Sequence, residues 1–73
     1  MAKFLAVVDG EDHVTVDLAT GDYRIAAATA VGMTERKPSC RVKIWCEDVL
    51  DQYGPYWYRV VNDVYGNLVV KSD

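Results

Sequence analysis

Reactive chemistry is what this sequence has least of. It carries one histidine, His13, two cysteines and two serines, so a nucleophile, a base and a residue to orient the base are hard to assemble from it. GxxxxGK[ST], GxGxxG, GxSxG and HExxH are all missing, which removes the phosphate-loop, dinucleotide, hydrolase-elbow and zinc-peptidase readings. CxxC and HxxxH spacings are missing too, and with them the usual zinc frameworks. Glu47, Asp48 and Asp51 could supply paired carboxylates, but nothing in the sequence places them in a desolvated pocket. The expectation is therefore a non-enzymatic chain with no catalytic residue, metal or cofactor. No apolar run approaches the roughly 20 residues of a membrane span, and MAKFLAVVDG reaches Asp9 too early for a secretory signal. The expected compartment is the cytoplasm, with no membrane partner. Repeats, linkers and low-complexity stretches are also lacking, so residues 1–73 read as a single domain.

What is present suffices for a small core. Of the 73 residues, 51% are apolar and 26% charged, which is the balance of a folding globular chain and not of a disordered one. A chain so short buries only about 60% of its unfolded surface, so modest stability is expected. The cysteines lie six residues apart on one apparent strand, roughly 20 Å at strand rise, too far for a disulfide to join them. Both fall on its apolar side, where a free cysteine behaves as a small hydrophobe.

Alternation and turn residues place the strands. KFLAVV, residues 3–8, is followed by the turn cluster Asp9-Gly10-Glu11-Asp12 and by HVTVDL, which together read as a hairpin. CRVKIWC, residues 40–46, puts Cys40, Val42, Ile44 and Cys46 on one side and Arg41, Lys43 and Trp45 on the other. YWYRVVND and NLVVK form a second hairpin, whose turn Asp63-Val64-Tyr65-Gly66 has Asp first and Gly fourth. If Gly66 supplies the bulge of a three-residue loop, Val61 faces Val69 and Arg59 faces Lys71. That register puts Tyr56, Tyr58, Val60, Leu68 and Val70 on the inner face with Val42 and Ile44. Trp57, Arg59, Val61, Val69 and Lys71 then lie outside.

Residues 19–39 admit two readings. As a helix, Thr20 caps the start, Asp22 sits in the first turn, Tyr23, Ala26, Ala27, Ala30 and Met33 form the inner stripe, and Arg36 and Lys37 close the end before Pro38. As a strand, Thr20-Gly21 turns and Ile25, Ala27, Thr29, Val31 and Met33 alternate. The alanine content opposes the strand and both caps fit the helix, so the helix is preferred. The fold class expected is α+β, in the order β-β-α-β-β-β, an antiparallel sheet with one helix on one face. The alternative is a small all-β domain.

Two surfaces follow from this layout. The open side of the sheet gathers Arg41, Lys43, Trp45, Trp57, Arg59 and Lys71, half of the basic residues in a chain of net charge −3. Trp and Arg are the residues most enriched in protein-contact hot spots; the same set could stack bases and track phosphates. It could also be internal packing, with Lys and Arg stems lying over indoles. One end of the domain gathers the acids Asp17, Asp22, Glu47, Asp48 and Asp51, with Asp73 expected nearby, while Asp9, Glu11 and Asp12 mark the other end. An acidic end can occupy a basic groove, or can simply keep a small protein soluble.

The order of elements, a short acidic chain of strand, strand, Ala-rich helix and three-stranded meander, resembles that of several small phage-encoded inhibitors of bacterial defence, including some anti-CRISPR proteins. The resemblance is one of architecture and assigns no site residue. It implies a protein that acts in a host cytoplasm by binding and occluding a protein complex. A single-stranded nucleic-acid module and a homodimeric adaptor subunit are the alternative functions that the residues themselves allow.

Overall fold

The computed structural model describes residues 1–49 and 54–73. Five strands and one helix follow in the order β1 (Ala2–Val8), β2 (Asp12–Leu18), α1 (Tyr23–Met33), β3 (Cys40–Cys46), a single 3₁₀ turn (Glu47–Val49), β4 (Tyr56–Asn62) and β5 (Leu68–Ser72). The strands form one antiparallel sheet, ordered β2-β1-β3-β4-β5, with α1 packed on one face. This is the α+β arrangement expected, and residues 23–33 are helix. No helix among the described residues is long and apolar enough to cross a membrane.

The two hairpins are held by turns that their residues dictate. Asp9 and Gly10 both take positive φ, at 53° and 73°, and Glu11 N–H donates to the Val8 carbonyl. Asp9 also joins the turn to β3: its N–H donates to the Arg41 carbonyl, and its Oδ1 accepts from Arg41 N–H. At the other hairpin, Asp63 Oδ1 accepts from the N–H groups of Tyr65 and Asn67, at 2.8 and 2.9 Å. These bonds, led by that from Asn67, hold the Asp63 carboxyl below the usual aspartate range. Gly66, at φ 85°, closes the turn, and the register is Val61 to Val69 and Arg59 to Lys71.

The helix begins two residues later than the sequence suggests. Asp22, and not Thr20, is the N-cap, its Oδ1 accepting from Arg24 and Ile25 N–H. A cap at Thr20 would place Gly21, a poor helix former, inside the first turn. Ala26, Ala27, Ala30 and Val31 are buried, and their small side chains let the helix axis approach the sheet.

The helix crosses the sheet on a diagonal, and this corrects the expected inner face. Its N-terminal turn lies over β4 and β5, where Tyr23 stacks edge-on against Tyr56 and Arg24 reaches Val70. Its C-terminal end lies beside β2, where Met33 and Val14 line a common groove. Met33 consequently stands clear of the core at 54% exposure, and Leu68, at the far end of β5, is 41% exposed. The core consists of Phe4, Ala6, Val8, Val16, Val42, Ile44 and Val60 from the sheet against the alanine face, with Cys40 and Cys46 among them. Burial first, then the nearby Asp9 carboxylate, pushes the Cys40 thiol up. Both cysteines are free and buried, the small-hydrophobe role expected of them.

Candidate functional site

Register brings all six basic and aromatic residues singled out above onto one face, the side of the sheet away from α1. Lys43 pairs with Trp57 and Arg41 with Arg59 across β3 and β4, and Arg59 pairs with Lys71 across β4 and β5. Trp45 pairs on its other side with Leu5 of β1. Arg41, Arg59 and Lys71 therefore form one cationic row, Lys43 and Trp57 share the next, and Trp45 lies one row beyond them.

Within these rows the cations lie over the rings. The Arg41 guanidinium is 4.2 Å from the Trp57 ring centre, and Lys43 Nζ is 5.3 Å from Trp45 and 5.8 Å from Trp57. This is the internal packing that the sequence allowed, and it fixes the indoles in place. It does not cover them, since Trp57 stays 39% exposed. Such a face is ordered before anything meets it, which lowers the entropic cost of contact.

Trp45 is the deeper of the two indoles. A hollow of about 180 Å³ formed with Leu5, Val7, His13 and Thr15 lies on one side of it, and another of about 200 Å³ bounded by Lys43, Gly54 and Pro55 on the other. Its Nε1–H is buried with no hydrogen-bond partner among the described residues, and an unmade bond of this kind is costly unless something supplies an acceptor.

Gly54 is the residue that lets the chain pass over Trp45. It has φ 110°, and a Cβ there would sit 3.0 Å from the Trp45 Cβ. Gly66 has a comparable φ of 85° but open space around it. Gly54→Ala should therefore cost more than Gly66→Ala: about 2 kcal/mol, or roughly 10 °C in Tm, against about half of that. Paired thermal melts check this, and equal shifts would mean that the contact with Trp45 carries no cost.

Asp73 corrects the expected charge layout. Instead of joining the acidic end it lies on the basic face, its N–H donating to the Trp57 carbonyl, its Oδ2 2.6 Å from Arg41 Nε and 3.9 Å from Arg59 Nη2. The chain thus sets one carboxylate of its own among the cations. Leu5, Val7, Val61 and Val69, all half-buried, extend the face on either side. Their signal was present in the sequence, since KFLAVV is apolar at nearly every position, as a central strand with two contact faces must be.

The acids expected at one end are placed there by topology, where β2 and β3 finish and α1 begins, but they are largely occupied. Asp22 caps α1, and Glu47 lies 3.9 Å from Lys3, whose strand partner is Asp17. Asp48 is exposed in the 3₁₀ turn, and Asp51 lies outside the described residues. At the opposite end Asp9, Glu11 and Asp12 surround the Arg36 guanidinium, which Asp12 first and Glu11 second hold firmly in its charged form. No group of three or more His, Cys, Asp or Glu able to hold a metal occurs among the described residues. No protein-family model, curated protein or solved structure matches the chain.

Proposed function

We propose that this chain is a small non-enzymatic protein-binding domain whose contact surface is the open sheet face centred on Trp45 and Trp57. The observation that carries the reading is the exposed indole of Trp57, held between Arg41 and Lys43 on a face that no layer of the described residues covers. An aromatic ring fixed in place, ringed by cations, has the composition of an interface hot spot. The finer form of the proposal follows the architectural resemblance: a phage-encoded inhibitor that binds and occludes a CRISPR-type host complex in the cytoplasm.

Asp73 favours a protein partner over a nucleic acid. Its carboxylate accepts from Arg41 Nε and lies 3.9 Å from Arg59 Nη2, so it takes up a donor and offsets positive charge that a phosphate would need. The test is capture from a nuclease-treated lysate of the source organism or its host, with wild type beside a Trp45→Ala/Trp57→Ala variant verified as folded by circular dichroism. A complex retained by wild type and lost from the variant supports the reading. Equal retention by both would sink it, and binding only of single-stranded nucleic acid with steep salt dependence would replace it by the nucleic-acid alternative.

A further inference from the structure

The two edges of the sheet are finished differently. β5 is five residues long, and Arg24 of α1 lies along it, Nη1 donating to the Val70 carbonyl at 2.8 Å and Nη2 lying 3.5 Å from Ser72 Oγ. A charged side chain bonded to an edge carbonyl, with Lys71 beside it, obstructs the addition of another strand. β2 has seven residues in unbroken register with β1, without Lys, Pro or a bulge. Among the described residues no side chain bonds to its backbone.

Strand geometry says which groups on β2 are free. Asp9 N–H donates to the Arg41 carbonyl, so the odd-numbered residues of β1 bond to β3 and the even-numbered ones bond to β2. Their partners Asp12, Val14 and Val16 are thereby used, and His13, Thr15 and Asp17 direct their N–H and C=O groups outward.

We propose that β2 pairs antiparallel with β2 of a second copy about a two-fold axis at Thr15, joining two five-stranded sheets into one. Only registers that set odd residues opposite odd ones let the free groups bond. Among these, the one centred on Thr15 sets Thr15 against Thr15 and His13 against the second copy's Asp17, twice by symmetry. Sliding by one step sets Asp17 against Glu11 of the other copy, and centring on Asp17 sets two aspartates together. The edge is thus complementary to itself, an imidazole N–H donor set opposite each carboxylate, and Thr–Thr is a favourable cross-strand pair.

The flank of α1 beside this edge agrees. Met33, at the C-terminal end of α1, shares a groove of about 600 Å³ with Val14 of β2 and is 54% exposed. A second copy brings its own Val16 opposite Val14 and its strand up to this groove, covering apolar surface that the single chain leaves in water. The dimer leaves Trp57 and its cations open on both copies, while His13 and Thr15 at the seam also border the hollow beside Trp45.

Sedimentation equilibrium from about 1 µM to about 1 mM tests the proposal. Wild type should reach twice the chain mass of 8.2 kDa. Thr15→Pro removes one outward N–H, leaves the β1 ladder intact and should stay at the single mass with unchanged circular dichroism. His13→Asp should weaken dimerisation about tenfold, and His13→Asp combined with Asp17→His should restore it. A wild type that stays monomeric throughout overturns the proposal, as does a folded Thr15→Pro chain that dimerises undiminished. If Thr15→Pro fails to fold, the charge exchange decides: failure of the double variant to recover what His13→Asp lost overturns the proposed register.

Discussion

Phe4→Ala should leave too little stability for a folded population at 25 °C. Phe4 is the largest fully buried side chain, on β1 between Val16 of β2 and Cys46 of β3, with its ring edge-on to Tyr23 at 5.1 Å. Truncating a buried phenylalanine costs about 3–5 kcal/mol, as lost transfer free energy plus the cavity left behind. A single core in a chain of this size supplies about 3–5 kcal/mol in total. The two figures meet, and the neighbourhood offers no relief. The helix contributes Ala26, Ala27 and Ala30 to the same core, and these have no side-chain length with which to fill a void. Urea titration by far-UV circular dichroism reads the result: wild type shows a cooperative transition, and the variant begins beyond its midpoint. Leu5→Ala is the control, since Leu5 is half-buried on the other face and should cost about 1 kcal/mol. A Phe4→Ala chain with a clear native baseline would mean that the sheet draws its stability from elsewhere.

How much of this was visible beforehand differs by element, for physical reasons. The face assignment of β3 and β4 was legible because a period-2 pattern with one apolar set allows only one orientation over a core. The β4–β5 register was legible because Asp63 and Gly66 specify the turn, and the turn counts the pairs. The helix was ambiguous, because AAATAV satisfies both periods and only propensity separates them. Its crossing angle had no sequence signal at all: Met33 and Leu68 match the inward pattern but lie where the diagonal leaves the sheet uncovered. Asp73 was placed at the wrong site for a related reason. Strand ends are set by which pairs can still close, and the bond from Asp73 N–H to the Trp57 carbonyl carries the pairing one residue past Ser72 and well past the apolar pattern. Alternation alone sets the six aromatic and basic residues on one face of the sheet. The way their cations lie over their rings was not legible, because it depends on side-chain direction.

The largest functional effect expected is that of Trp57→Ala on partner affinity. Trp57 is 39% exposed, with one face against Arg41 at 4.2 Å, so truncation removes contact area and releases two cations from fixed positions at once. Hot-spot truncations cost about 2 kcal/mol or more, so Kd should rise at least about 30-fold while Tm falls only slightly. Lys71→Ala, at the rim of the same face, should change Kd by no more than about threefold, chiefly through the association rate and its salt dependence. Asp73→Ala then reports the partner's charge by the sign of its effect. It frees Arg41 and Arg59, so an acidic partner should bind several-fold tighter and a basic one weaker. Titration calorimetry on the three variants separates these outcomes. Equal small losses from Trp57→Ala and Lys71→Ala would place the contact away from the indoles. A large loss from Trp57→Ala with no response to Asp73→Ala would mean that the partner meets the rings and not the cations beside them.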